Sequence, residues 1–231
     1  MTKKDSAAAG RPGVVEAQAG ERLWRLSRPA DLESLWAAMG EGDLGLDERL
    51  PYWVELWPAS VLLARFIAAN AAVFSGRFCL DAGCGLGLSS LAAAAAGARV
   101  LGFDYEPEAL AYARRNAAEN MRPGEGKPLF AVMDWRRPAV PRGRADLVLG
   151  ADILYERRFF EPVADFLDFA LAPGGRALIA DPERGVSAPA AGRLRERGWR
   201  VRVAHTGRVA QGGQDMTVNL LEIARGDSSP L

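Results

Sequence analysis

The run Phe78-Cys79-Leu80-Asp81-Ala82-Gly83-Cys84-Gly85-Leu86-Gly87 constrains the fold of this chain more than any other stretch. Its apolar opening reads as a buried strand, and the acid followed by glycines at 83, 85 and 87 reads as a tight turn on which a ligand can lie. Glycine has no Cβ to hold a ligand off the backbone and enters left-handed conformations freely. A helix over Leu88 to Ala96 follows, with its first N–H groups opening into the same turn. A dinucleotide site asks for a third glycine where this chain has Leu88, and its acid comes earlier, as Asp81-x-Gly83-x-Gly85. A carboxylate at the turn favours a cationic ligand and repels a pyrophosphate.

The 231 residues suit one large α/β domain with an N-terminal extension. Lys+Arg and Asp+Glu both total 29, so no excess of positive charge points to nucleic acid as the main partner. The two cysteines, Cys79 and Cys84, have neither disulfide-framework nor metal-ligand spacing and read as packed thiols. Lys3 and Lys4 are followed by no apolar core of a signal peptide, and no run of 18 apolar residues suggests a membrane span. The expectation is a cytoplasmic protein with no metal. Residues 1–20 are expected to be a mobile tail, 21–57 a helical extension or lid, and 58–231 the main domain. Within the extension, Asp31 can cap a helix over Leu32 to Met39, and Gly40 to Glu48 forms a loop. The aromatic stretch Pro51 to Ser60 leads into a helix that Pro58 can start.

Beyond the first helix, Arg99 to Asp104 is a second strand ending on an acid 23 positions after Asp81, placed to accept ribose hydroxyls. A third strand, Leu129 to Asp134, ends on another acid followed by Trp135, a pair able to take an adenine amino group and ring. The fourth, Ala145 to Ala151, exits through Asp152-Ile-Leu-Tyr155 where strands one and four diverge. A helix over Arg157 to Leu171, a fifth strand over Arg176 to Asp181, a short helix over Pro189 to Arg197 and a closing hairpin around Gly212-Gly213 complete the pattern. His205, in that hairpin, reads as a surface histidine.

Asp81-x-Gly83-x-Gly85 resembles motif I of the class I S-adenosylmethionine-dependent methyltransferases. Asp152-Ile-Leu-Tyr155 resembles the Asp-x-x-Tyr signature of the protein-lysine methyltransferases of methyltransferase family 16, and Trp57-Pro58, Asp104 and Asp134-Trp135 match that subgroup in order. The resemblance covers about residues 50 to 225. It implies a Rossmann-like seven-stranded, mostly parallel sheet of order 3-2-1-4-5-7-6, with helices on both faces and an antiparallel last strand. It implies S-adenosyl-L-methionine as cofactor, held by Trp57, Asp81, Gly83, Cys84, Gly85, Gly87, Leu88, Asp104, Tyr105, Asp134, Trp135 and Ala151, and catalytic roles for Asp152 and Tyr155. The implied acceptor is a lysine of another protein, with an electron-transfer flavoprotein subunit one target of such enzymes. A small-molecule amine, nicotinamide-like, is the alternative acceptor, and a non-catalytic cofactor-binding protein the alternative class. Asp152-Ile-Leu-Tyr155 lacks both prolines of the Asn/Asp-Pro-Pro-Tyr motif of planar-nitrogen methyltransferases.

Overall fold

A computed structural model describes residues 13–30, 32–33, 51–183 and 188–226. Its first elements are a hairpin, β1 (Gly13–Ala19) and β2 (Arg22–Arg28), turned at Gly20-Glu21. Seven further strands follow: β3 (Phe78–Ala82), β4 (Arg99–Asp104), β5 (Leu129–Val132), β6 (Ala145–Ala151), β7 (Leu171–Pro182), β8 (Arg200–Gln211) and β9 (Gln214–Ala224). They form one sheet of order β5-β4-β3-β6-β7-β9-β8, which is 3-2-1-4-5-7-6 when β3 counts as the first. β9 runs antiparallel to both β7 and β8, and the pairs from β5 to β7 are parallel. The helices are α1 (Pro58–Ala69), α2 (Ala71–Phe74), α3 (Leu88–Ala95), α4 (Pro107–Asn120), α5 (Phe160–Ala170) and α6 (Ala188–Glu196).

A parallel sheet needs cover on both faces, and strand side chains alternate between them. Cys79, Leu147, Leu149, Leu178 and Ala180 pack with α1, α3 and the hairpin. Their neighbours Leu80, Ala82, Val148, Ala177 and Ile179 pack with α5 and α6. α3 is almost all alanine, which lets its backbone lie close to the sheet. β8 and β9 are joined by Gly212 (φ 56) and Gly213 (φ 76), the two positive φ values that a two-residue hairpin loop needs.

Three elements differ from the sequence expectation. Residues 13–28, divided there between a mobile tail and a helical lid, form the β1–β2 hairpin. Ala17, Ala19, Trp24 and Leu26 bury its inner face in the core shared by α1 and α3. Burying a side chain such as Leu26 stabilises by about 1.5–3 kcal/mol, enough to hold a short hairpin down. Second, Arg157–Phe159 is a separate 3-10 turn, so α5 starts only at Phe160. Third, β7 begins directly after α5, and its pairing jumps from Ala145↔Leu171 to Leu147↔Arg176, looping out Ala172 to Gly175. The helix expected over Leu32 to Met39 and the loop over Gly40 to Glu48 lie almost wholly outside the described residues.

Candidate active site

The carboxyl ends of β3, β4, β5 and β6 open into a cavity of about 510 Å³. This is the side of an open α/β sheet where ligands bind, and the size suits one. Its wall gathers Trp57, Gly83, Cys84, Gly85, Gly87, Leu88, Asp104, Tyr105, Asp134, Trp135, Ala151, Asp152 and Tyr155 from separate parts of the chain. Among the site residues expected from sequence, Asp81 alone stays off that wall.

The reason is strand parity. With Leu80 and Ala82 on the α5 face, Asp81 must face α3. Its Oδ2 accepts the Ser90 hydroxyl at 2.6 Å, and the Ser90 backbone N–H donates to it as well. The carboxyl therefore caps the first turn of α3 from beneath, where the helix end is positive. Burial, the largest influence, pushes its pKa up to about 7, and the two Ser90 hydrogen bonds pull it down. Gly102 on β4 makes the room: a Cβ there would lie 2.6 Å from Ser90 Oγ.

Above this buried pair the turn itself is left to glycine. Gly83 has φ 63, and a Cβ on it would come within 3.3 Å of Ile153 and 3.4 Å of the Trp135 ring. A side chain there would fill the gap between the turn and that ring. Cys84 N–H donates to the Phe103 carbonyl at 3.0 Å, and Gly85 N–H to Asp104 Oδ2 at 3.0 Å, which ties the turn to the end of β4. Asp104 Oδ1 accepts the Glu106 N–H at 3.1 Å. The Tyr105 backbone N–H donates to the same carboxylate, so three backbone donors leave it lone-pair capacity for a further ligand hydroxyl. Burial raises the Asp104 pKa to about 6, against the Glu106 and Gly85 hydrogen bonds, so the group is largely ionised at neutral pH.

Asp134 is already engaged. Arg136 grips it through its backbone N–H on Oδ1 and its Nε on Oδ2, both at 2.8 Å. Burial acts to raise the Asp134 pKa, and the Arg136 hydrogen bonds outweigh it, so the carboxyl stays charged. Trp135 stacks edge-on against Phe159 at 5.6 Å.

Opposite this wall, Asp152 leaves β6 with φ 56, the one left-handed residue other than glycine among the described residues. Such a backbone costs about 1–3 kcal/mol and persists where the surroundings impose it. The Asp152 N–H donates to the Ala180 carbonyl at 2.8 Å, which holds the bend, and the residue is 8 % exposed. Tyr155 sits between Tyr52 (5.6 Å) and Phe159 (5.1 Å). Burial, with Tyr105, Glu156 and Tyr52 nearby, pushes its phenol well above the ordinary range, so it keeps its proton. Tyr52 also packs on Trp57 at 6.0 Å and accepts its Nε1–H on the carbonyl at 2.9 Å.

Tyr52, Arg136 and Phe159 also line the cavity without having been singled out in the sequence. The aromatic density of residues 51–57 was a signal for Tyr52, but density does not say which ring meets which. Phe159 was read as part of one helix with Phe160; adjacent helical residues point apart, and the 3-10 turn gives Phe159 to the cavity and Phe160 to the core. His205 is exposed on β8, 6.3 Å from Phe66 and absent from the cavity lining. Among the described residues no cluster could hold a metal and no helix is long and apolar enough to cross a membrane.

Known proteins resemble this chain in sequence and in fold. Residues 79–175 match the family described as methyltransferase domain. That match spans the centre of this chain. The electron transfer flavoprotein beta subunit lysine methyltransferase of Danio rerio is 34% identical over 136 residues, 58% of this chain and 51% of that protein. The protein N-lysine methyltransferase METTL21A of Danio rerio is 32% identical over 124 residues, 52% of this chain and 56% of that protein. The chain therefore spans about half the length of these curated relatives. Among solved structures, magnesium protoporphyrin IX methyltransferase from Synechocystis PCC 6803 superposes with a TM-score of 0.56 at 18% identity, covering 81% of this chain and 87% of that one. The fold is that of a Rossmann-like methyltransferase.

Proposed function

We propose that this chain is a cytoplasmic S-adenosylmethionine-dependent methyltransferase that methylates a lysine side chain of another protein. The observation that carries this reading is Asp152, bent into the left-handed region on the wall of the same cavity as the glycine turn. The matched family and the lysine methyltransferases among the relatives support it.

The cavity fits the cofactor. Asp104, with three backbone donors on its carboxylate, keeps lone-pair capacity for a ribose hydroxyl. The space that a Gly83 side chain would fill, beside Trp135 and Ile153, is a cradle for a flat base. Asp134 Oδ1 can still accept an amino hydrogen beside its Arg136 contact. Gly85, Gly87, Cys84 and Leu88 line the cavity for the amino-acid end, the N–H groups of 84, 85 and 87 being bonded within the fold, and Trp57, Tyr105 and Ala151 line it with them. Asp81 serves the cofactor indirectly, by fixing α3 under the turn. When bound, S-adenosylmethionine supplies a methyl group already activated on a sulfonium.

The protein's part is to align and desolvate the acceptor amine. A lysine enters with its proton, its ordinary pKa being about 10.4. A rim of Tyr52, Tyr155, Phe159 and Trp135 excludes water and disfavours the ammonium form. The Asp152 carboxylate orients the nitrogen through a charge-assisted hydrogen bond. The Tyr155 hydroxyl, which keeps its proton, offers a donor or a ring face but no base.

The test is incubation with labelled S-adenosylmethionine and purified electron transfer flavoprotein β subunit, with the label mapped by mass spectrometry. Methyl on a lysine supports the proposal; methyl on nicotinamide-like amines only would reassign the acceptor.

A further inference from the structure

Asn116 lies within α4 and is fully buried, at 0 % exposure. Its Oδ1 accepts the Ser27 N–H at 2.7 Å and its Nδ2 donates to the Ser27 carbonyl at 3.2 Å. One helical turn on, Asn120 repeats the pattern on Arg25, accepting its N–H at 3.1 Å and donating to its carbonyl at 2.8 Å. Four helical residues rise about 6.0 Å and two strand residues about 6.7 Å, so side chains at i and i+4 meet alternate residues of a strand. α4 thereby closes the outer edge of β2 as a neighbouring strand would.

The two asparagines differ in where the second Nδ2 hydrogen goes: that of Asn120 stays within the helix, on the Asn116 carbonyl at 2.8 Å. Asn116 Nδ2 also donates to the Leu86 carbonyl at 3.0 Å, inside the Gly83–Gly87 turn that lines the cavity. Glycines at 83, 85 and 87 contribute no side chains that could restrain the turn; the Gly87 N–H on the Cys84 carbonyl and the bonds of Cys84 and Gly85 to the end of β4 hold one side of it, and the Asn116 amide holds the Leu86 side. One amide therefore joins hairpin, helix and turn.

We propose that Asn116 is a positioning residue for the cofactor turn, through which the N-terminal hairpin, outside the matched residues 79–175, sets the affinity of the site for S-adenosylmethionine. This rests on the cofactor reading above. Without the amide, the Leu86 carbonyl loses its partner in a buried place and the turn must be ordered by the ligand as it binds.

The test is calorimetric titration of S-adenosylhomocysteine into the full chain and its Asn116→Ala and Asn120→Ala variants, each well below its own melting temperature. Both variants loosen the hairpin, and only the first frees the turn. Asn116→Ala is expected to raise the dissociation constant about tenfold at unchanged stoichiometry, with Asn120→Ala within about threefold of wild type. Asn116→Asp, which keeps an acceptor for the Ser27 N–H but opposes the Leu86 carbonyl, is expected to weaken binding as much, and it decides if the alanine variant does not fold. Equal weakening in both alanine variants, or wild-type affinity at position 116, would overturn the inference. A wild-type chain that does not bind would overturn the cofactor reading first and the inference with it.

Discussion

Three side groups behind the cavity wall, the Asp81 carboxyl, the Ser90 hydroxyl and the missing Cβ of Gly102, seat α3 under the Gly83–Gly87 turn without touching the cavity. Gly102→Ala would put a Cβ 2.6 Å from Ser90 Oγ and 2.8 Å from the Phe130 ring. Overpacking of this kind costs about 1–3 kcal/mol, which urea unfolding would register as a lower midpoint. Asp152 makes the opposite trade. Glycine tolerates φ 56, so Asp152→Gly should leave the melting temperature unchanged or raised while methyl transfer falls about a hundredfold or more. A loss of both together would mean that the residue is structural. Motif spacing located Asp81 but could not tell which sheet face it occupies, because that depends on Leu80 and Ala82 finding α5, an element some 80 residues later in the chain. Gly102 gave no signal in sequence, since a glycine inside a strand declares nothing about a serine on another element.

The segment 51–57 and the hairpin act as units. Tyr52 bridges Trp57 and Tyr155, and through Phe159 the chain of rings reaches Trp135 on the far wall. Tyr52→Ala breaks that chain between Trp57 and Tyr155 without touching Asp104 or the glycine turn. It should raise KM for the acceptor about tenfold and leave the S-adenosylhomocysteine dissociation constant unchanged in calorimetry. A change in cofactor affinity alone would place Tyr52 on the other half of the site. The hairpin was harder to read than the sheet. Val15-Glu-Ala-Gln-Ala19 alternates, and Gly20 offers a turn, but alanine is too weakly apolar to mark a buried face, and only Trp24 and Leu26 would have. The Asn116 and Asn120 pattern shows why: the edge of β2 is satisfied by a helix about 90 residues away, and no local sequence feature reports such a partner.

Over the whole molecule the parallel sheet was legible because each of its strands is a short apolar run closed by an acid or a glycine, and the order of strands followed from the resemblance. The buried acids also set how the fold responds to pH. Asp81 and Asp104 rise from the usual 3.8 to about 7 and about 6, so across that range the folded chain holds more protons than the unfolded one. The unfolding free energy therefore falls as pH rises from about 4 to about 7. Burial acts to raise Glu125 and Asp134 too, but hydrogen bonds from Arg122 and Arg136 hold both low, and their contribution is lost only in stronger acid. The urea midpoint of the ligand-free chain should be higher at pH 5 than at pH 7.5, and Asp81→Asn should flatten that slope; a midpoint that rises toward neutrality would contradict this account of Asp81. The claim on which the rest depends is that Asp152 directs methyl transfer to a lysine. Transfer of labelled methyl from S-adenosylmethionine into a cell lysate, separated into protein and small molecules, tests it for wild type and Asp152→Ala. Acid-stable label at lysine on a discrete protein band, lost in the variant, is expected; label confined to small molecules, or equal labelling by the variant, would contradict that role of Asp152.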